Sequence, residues 1–341
     1  MFFYSYLQPR PPPGSPPWSN ADELLKVNSA LFDNFLGALS ISKLLPKRLL
    51  LQTGAKNYGP HIGRIRNPAL ESDPQPRHLD ANFYYPQEDA LTKFCSDNPS
   101  VGYNIIHPAW IIGATNNAQM NALHPFAIYA AVAAQRDEPL IYPSSFDSWV
   151  ADSYHSAARL TGYLSEWAIL EDKCKNHRFN SQDTSPVSWD RFFERLAEWF
   201  DVKKGVKPPP DNEDGMGELQ MPGGKGSPMG YGPSITNKFA FTVSQWAQKP
   251  ENRESWKAIQ KEQSGVKHDP FEDIEGNFTF ADAAFLKIGC LGMNKARRMG
   301  WTGFVDTVEA VFEMYKEMGP TDQGGIGMLP AMKVKEPKAL V

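Results

Sequence analysis

An α/β fold, with a largely parallel sheet doubly wound by helices on both faces, is what this 341-residue sequence predicts. Two observations carry that reading. Short apolar runs without polar alternation stand at Met1–Gln8, at Arg48–Thr53 (RLLLQT) and at Val101–His107 (VGYNIIH), as strands buried on both faces do. Longer segments of helical period lie between them, and strand–helix–strand alternation brings right-handed crossovers and parallel strands.

Taken in order, the first strand passes into the Pro-rich stretch PRPPPGSPP, which ends it. Ser19 stands three residues before Asp22 as an N-cap, and Leu24, Leu31, Phe32, Phe35, Leu36 and Leu39 follow at helical spacing to about Ser42. Asn28 falls on that apolar face, where an unpaired amide costs about 1–3 kcal/mol, so it is expected to hydrogen-bond a neighbouring backbone. The second strand is Arg48–Thr53, and a helix from about Pro86 to Asp97 leads to the third. Helices are predicted over Asn117–Arg136 and Asp152–Leu170, with short strands near Leu140–Tyr142 and Arg178–Asn180. Residues 1–184 are thus assigned to the sheet layer. After about Ser185 helices alternate with Gly/Pro-rich loops, which predicts a smaller, mainly helical part over 185–319 with Trp189, Phe192, Phe193, Trp199 and Phe200 as core; the Gly-rich tail, 320–341, is expected to fray.

Composition excludes several function classes. A net charge of −4 without a basic run offers phosphate backbones nothing to grip, so no nucleic-acid partner is expected. No run approaches the ~20 apolar residues of a membrane helix, and the opening MFFYSYL lacks a basic leader, so it reads as a strand and the chain as beginning inside a sheet. Cys95, Cys174 and Cys290 lie far apart, which fits neither a disulfide framework nor a zinc site and suggests a reducing, cytoplasmic compartment. The seven histidines are scattered, and no metal is expected. GGKGS at 223–227 fails as a phosphate loop, because Leu219 stands where a glycine is required and Gly226 separates Lys225 from Ser227.

Ligands of open α/β sheets sit beyond the carboxyl ends of the strands. Those ends here carry Thr53-Gly54-Ala55-Lys56 and Pro108-Ala109-Trp110-Ile111, and Asn82-Phe83-Tyr84-Tyr85 opens the following helix. A lysine beside a tyrosine favours the phenolate, so pairing Lys56 with that segment would lower a phenol pKa and create a proton donor near neutral pH.

The segments LQTGAKNYG, NFYYPQED, HPAWIIGA, MNALHPFAIYAAV, RFNSQDTSPVSWDRFFERLAEWF and MNKARRMGWTGF, in this order, resemble the progesterone 5β-reductase/iridoid synthase-like (PRISE) group of extended short-chain dehydrogenases/reductases, most closely its fungal members. The resemblance runs from about Met1 to Lys316. TGxK, NFYYxxED and MNK are specific to the group, whereas the Tyr-x-x-x-Lys of the wider superfamily is absent: Glu88 and Asp89 stand four residues after Tyr84 and Tyr85. The resemblance implies a Rossmann-type domain and NADPH-dependent reduction of a C=C bond conjugated to a carbonyl. It implies Tyr84 as catalytic tyrosine, with Tyr85 the alternative donor, and Lys56 as its lysine. Thr53, Lys56, Tyr84, Pro108 and Ile111 would contact the cofactor, and Tyr85, His61, Trp301 and Phe304 the substrate, a small α,β-unsaturated carbonyl compound.

The sequence also departs from that pattern. It starts at what resembles the group's fourth strand, so the glycine-rich pyrophosphate turn and the first strands are expected to be missing. His107 replaces the arginine usual before the proline, and Thr53 stands where a serine hydroxyl is usual. Two other readings therefore stand beside the reductase: a truncated or non-catalytic protein of this fold, and a sugar-nucleotide epimerase or dehydratase, against which the missing serine and Tyr-x-x-x-Lys argue.

Overall fold

The computed structural model describes residues 1–12, 18–116 and 120–337. Four parallel strands form the main sheet in the order β1 (Phe2–Phe3), β2 (Arg48–Gln52), β3 (Gly102–Pro108) and a fourth strand, His177–Ser181. One row of the ladder crosses all four through Phe2, Leu50, Asn104 and His177.

The apolar runs have the predicted cause. Successive side chains of a strand face opposite ways, and here both faces are covered. Leu49, Leu51 and Ile105 pack with Phe32, Leu36, Leu91 and Phe94 of α1 (Ala21–Ser42) and α2 (Tyr84–Asp97). Leu50 and Ile106 pack on the opposite face with Leu164 and Ala168 of helix Ala158–Leu170. The chain is therefore an α/β fold with helices on both sides of a parallel sheet.

Asn28, fully buried on α1, is satisfied as expected. Its Oδ1 accepts from Leu7 N (2.8 Å), its Nδ2 donates to Leu7 O (2.9 Å) and Leu24 O (3.0 Å), and its own carbonyl accepts from Gln87 Nε2 (2.9 Å). These bonds take over where the β1 ladder stops at Phe3, so the expected strand to Gln8 is shortened and its end held by a side chain. Asn20, one residue after the expected Ser19, caps α1.

Other boundaries moved. The helix expected from Asp152 starts at Ala158, because side chains hold the preceding backbone extended: Ala157 N donates to Asp183 Oδ1 (2.6 Å) and Ser156 Oγ to Ser181 O (2.7 Å). Ser156–Ala157 pairs in parallel with Ile111–Ile112. The start expected at Asn117 lies outside the described residues, and α3 spans His124–Gln135.

The largest core joins α3 to helices Trp189–Phe200, Pro250–Glu262, Ile274–Ala283 and Thr307–Glu317, with the predicted Trp189, Phe192, Phe193, Trp199 and Phe200 buried in it. It begins at Ile112, so the helical part recruits chain from well before residue 185. The tail, expected to fray after Gly319, is bound through much of its length. Met328 N and Leu329 N both donate to Met318 O, Lys333 N donates to Trp199 O, and Leu329 is completely buried. Apolar Met328 and Leu329 close the core, and the surrounding glycines let the backbone fold back against Gly319.

Candidate active site

At the carboxyl edge of the sheet β2 runs into a single helical turn, Ala55–Tyr58, which carries Lys56. β3 ends at Pro108, and α2 starts with Tyr84 in its first turn. The phenol of Tyr84 comes down onto the strand ends. A methyl group built at Gly54 would lie 3.1 Å from Tyr84 Oη and 3.3 Å from the Pro108 carbonyl oxygen, so the missing side chain of Gly54 is what lets the hydroxyl approach.

Asn82 ties the two candidate residues together. Its Nδ2 donates to the Lys56 carbonyl (3.0 Å), and its Oδ1 accepts from the Tyr84 backbone N–H (3.0 Å), which also satisfies an orphan donor at the start of α2. Spacing did not single out Asn82 or Gly54: their roles depend on contacts between segments far apart in the chain.

The electrostatics correct one expectation. Burial, and then the neighbouring Tyr6 phenol, push the Tyr84 pKa above its ordinary value, so the group remains a protonated donor and is not drawn toward phenolate. Lys56 is held below its ordinary pKa by burial, opposed by the Asp80 carboxylate. Asp80 itself sits 3.0 Å from His61 Nε2, and that hydrogen bond, with Lys56 further off, keeps its pKa low. His61 thus stands behind Asp80 on the lysine side of the site.

Thr53 is buried, with Oγ1 2.7 Å from His107 Nδ1. Tyr85, next to Tyr84 on α2, points elsewhere: its hydroxyl donates to Asn57 O (3.3 Å), and the Arg77 guanidinium lies over its ring. Buried Glu88 pairs with the half-buried Arg178 (3.1 Å). Ile111 is partly exposed beyond β3, beside Pro108 and Ala109.

Trp301 and Phe304 are not brought to this group. Trp301 packs on Trp167 (centroids 5.6 Å apart) in the layer under helix Ala158–Leu170, and Phe304 is 72% exposed. A cavity of about 400 Å³ lies instead next to Trp110, walled by the 63–67 segment, Ser148, Tyr154 and the 284–289 segment. Trp110 packs on Phe280 (5.1 Å), Phe280 on Trp18 (5.1 Å), and the Lys56 ammonium lies 5.7 Å from the Trp18 ring. An aromatic row therefore runs between Lys56 and the cavity. Among the described residues no cluster of His, Cys, Asp and Glu could hold a metal, and no helix is long and apolar enough to cross a membrane.

Comparison with known proteins agrees with this frame. Residues 19–220 match the family described as the PRISE-like Rossmann-fold domain. The chain is 27% identical over 310 residues to the short chain dehydrogenase gsfE of Penicillium aethiopicum, covering 87% of this chain and 75% of that protein. It is 29% identical over 194 residues to the 3-oxo-Delta(4,5)-steroid 5-beta-reductase of Arabidopsis thaliana, covering 55% of this chain and 50% of that one. Against the (S)-8-oxocitronellyl enol synthase CYC2 of Camptotheca acuminata the figures are 30% over 194 residues, 54% and 50%. The chain thus spans about half the length of these plant relatives and three quarters of the fungal one. With the family matched over more than half of its length, and the TGxK and NFYYxxED segments meeting at one edge of a parallel sheet, the chain belongs to the PRISE-like Rossmann-fold family.

Proposed function

We propose that the protein is an NADPH-dependent enone reductase that adds hydride to the β-carbon of a small α,β-unsaturated carbonyl compound. The observation that carries this reading is the Tyr84 phenol, brought onto the strand ends beside Gly54 and coupled through Asn82 to Lys56, in a chain of this family. The relatives' reductase and enol synthase names point the same way.

Bound NADPH would supply the hydride. The residues present suit its nicotinamide–ribose half. Lys56 and Thr53 offer polar groups for ribose hydroxyls, and Pro108 with the exposed Ile111 offers backbone and apolar surface for the ring. The backbone after β1 passes through Pro9, Pro11 and Pro12, which carry no N–H for a pyrophosphate.

Tyr84 acts on the substrate oxygen. Hydride addition at the β-carbon would shift the C=C electrons and place negative charge on the carbonyl oxygen, and the resulting enolate would take a proton from solvent at its α-carbon to give the saturated carbonyl compound. A phenol O–H aimed at that oxygen stabilises the charge where it develops, and the raised pKa keeps the proton available as a hydrogen bond. Lys56 holds the ribose, and the Asp80 carboxylate, itself bonded to His61, favours its charged form. The cavity beside Trp110, lined by polar as well as apolar residues, receives the body of the substrate, and the Trp18–Phe280–Trp110 row covers the lysine side.

The test is NADPH oxidation by the full chain with small enones. Tyr84→Phe is expected to lower kcat by about 10²–10³-fold, the usual loss for one oxyanion donor. Undiminished turnover in Y84F would refute the assigned role.

A further inference from the structure

His107 is completely buried near the end of β3, with its ring edge-on to Tyr58. Its Nδ1 faces Thr53 Oγ1, while its Nε2 has no hydrogen-bond partner. Nε2 looks instead at Glu88 Oε1, 3.9 Å away, which is also buried and unpartnered. The other Glu88 oxygen is engaged by Arg178 Nη2 (3.1 Å) and Gln75 Nε2 (3.0 Å). The charged groups acting on the ring come from three elements: Glu88 on α2, Arg178 on the fourth strand and Lys295 on the turn 294–298. Burial, then the two cations, hold the imidazole neutral, its pKa depressed to about 3.

A neutral imidazole carries one N–H, and the surroundings decide where it sits. Burial raises the Glu88 pKa, and the Arg178 guanidinium and the Gln75 amide oppose it; ion-paired to Arg178 and bonded to Gln75, Glu88 presents a negative oxygen to Nε2. An N–H there is attracted to that oxygen, whereas a lone pair there would be repelled by it. With the proton on Nε2, Nδ1 can only accept, and the Thr53 hydroxyl must spend its one proton on it. We infer that His107, held as the Nε2–H tautomer by Glu88, fixes the Thr53 hydroxyl as a pure acceptor at the strand-end site.

The consequence, which rests on the reductase reading, concerns ligand polarity. Of Thr53 and Tyr84, only Tyr84 can then donate to a carbonyl or enolate oxygen. The ligand group placed against Thr53 must itself be a donor, such as a sugar hydroxyl. His107 and Glu88 are positioning residues here, acting through Thr53.

The experiment is long-range ¹H–¹⁵N correlation NMR on the full chain labelled with ¹⁵N-histidine, between pH 6 and 8. The His107 signals are assigned by their loss in H107Q or, where that variant does not fold, by Overhauser contacts to the Tyr58 ring. The expected result is a neutral ring with a protonated Nε2 and a hydrogen-bond-accepting Nδ1. In Thr53→Val the Nδ1 signal should move toward that of a free lone pair while Nε2 stays protonated. A protonated Nδ1, or an imidazolium, would overturn the inference. Neither result depends on turnover, so a failure here is distinct from an absence of enone reduction.

Discussion

Asn82 shows how much of the site rests on one amide. Its donor holds the Lys56 carbonyl and its acceptor holds the Tyr84 N–H, so its two ends can be separated by substitution. Asn82→Asp keeps an acceptor for Tyr84 but sets an oxygen against the Lys56 carbonyl. Small misplacements of reacting groups cost up to about 10²-fold in rate, so N82D is expected to lower kcat/KM about 10–100-fold. Loss of one buried hydrogen bond should cost only about 1–3 kcal/mol of stability. Paired steady-state kinetics and urea melts check this; unchanged kcat/KM would show that the brace does not matter. At this scale Lys56 and Tyr84 were legible, because they follow strand and helix signals that can be seen in the chain. The direction of the Tyr84 pKa was not legible, because burial is set by Tyr6 and Phe83, which arrive from a distant loop and the preceding residue. The placement of Trp301 and Phe304 was not legible for a related reason: an aromatic residue in a loop can serve any apolar neighbour, and Trp301 packs on Trp167.

The elements were read best where periodicity is strong. RLLLQ, the third strand and α1 lie within a few residues of their expected limits, since a strand covered on both faces and an amphipathic helix each leave a local pattern. The segment 152–157 and the tail were misread because long-range hydrogen bonds decide them. Leu329 tests the tail. Replacing a fully buried leucine with alanine leaves a cavity and typically costs about 2–5 kcal/mol, so L329A should lower the unfolding free energy by that amount in urea melts. A change near zero would mean that the segment after Gly319 adds nothing to the core.

Across the whole molecule, buried titratable groups link stability to pH in opposite senses. Burial, opposed by the Ala157 N–H and the Thr307 hydroxyl, raises the Asp183 pKa from 3.8 to about 7. The unfolded carboxyl loses its proton at lower pH than the folded one, so this group's stabilising contribution is complete below about pH 3.8 and is lost as pH rises through about 7. His107, His124 and His155 are depressed by burial from 6.5 to about 3, 3 and 4, and their contributions disappear as pH falls below 6.5. The Asp183 effect is therefore isolated by difference. Relative to wild type, D183N should gain unfolding free energy between pH 4 and 7; a difference that does not change with pH would contradict the shift.

The α/β architecture and the family were both readable from motif order, while the chemistry of the full chain rests on the strand-end site. The most direct test of that chemistry is to follow the label from NADPH deuterated at C4 of the nicotinamide into a small cyclic enone, using the full chain. Deuterium at the β-carbon of the saturated ketone, strongly reduced in Y84F, is the predicted result. Deuterium at the carbonyl carbon, or a β-labelled product formed equally well by Y84F, would contradict the account.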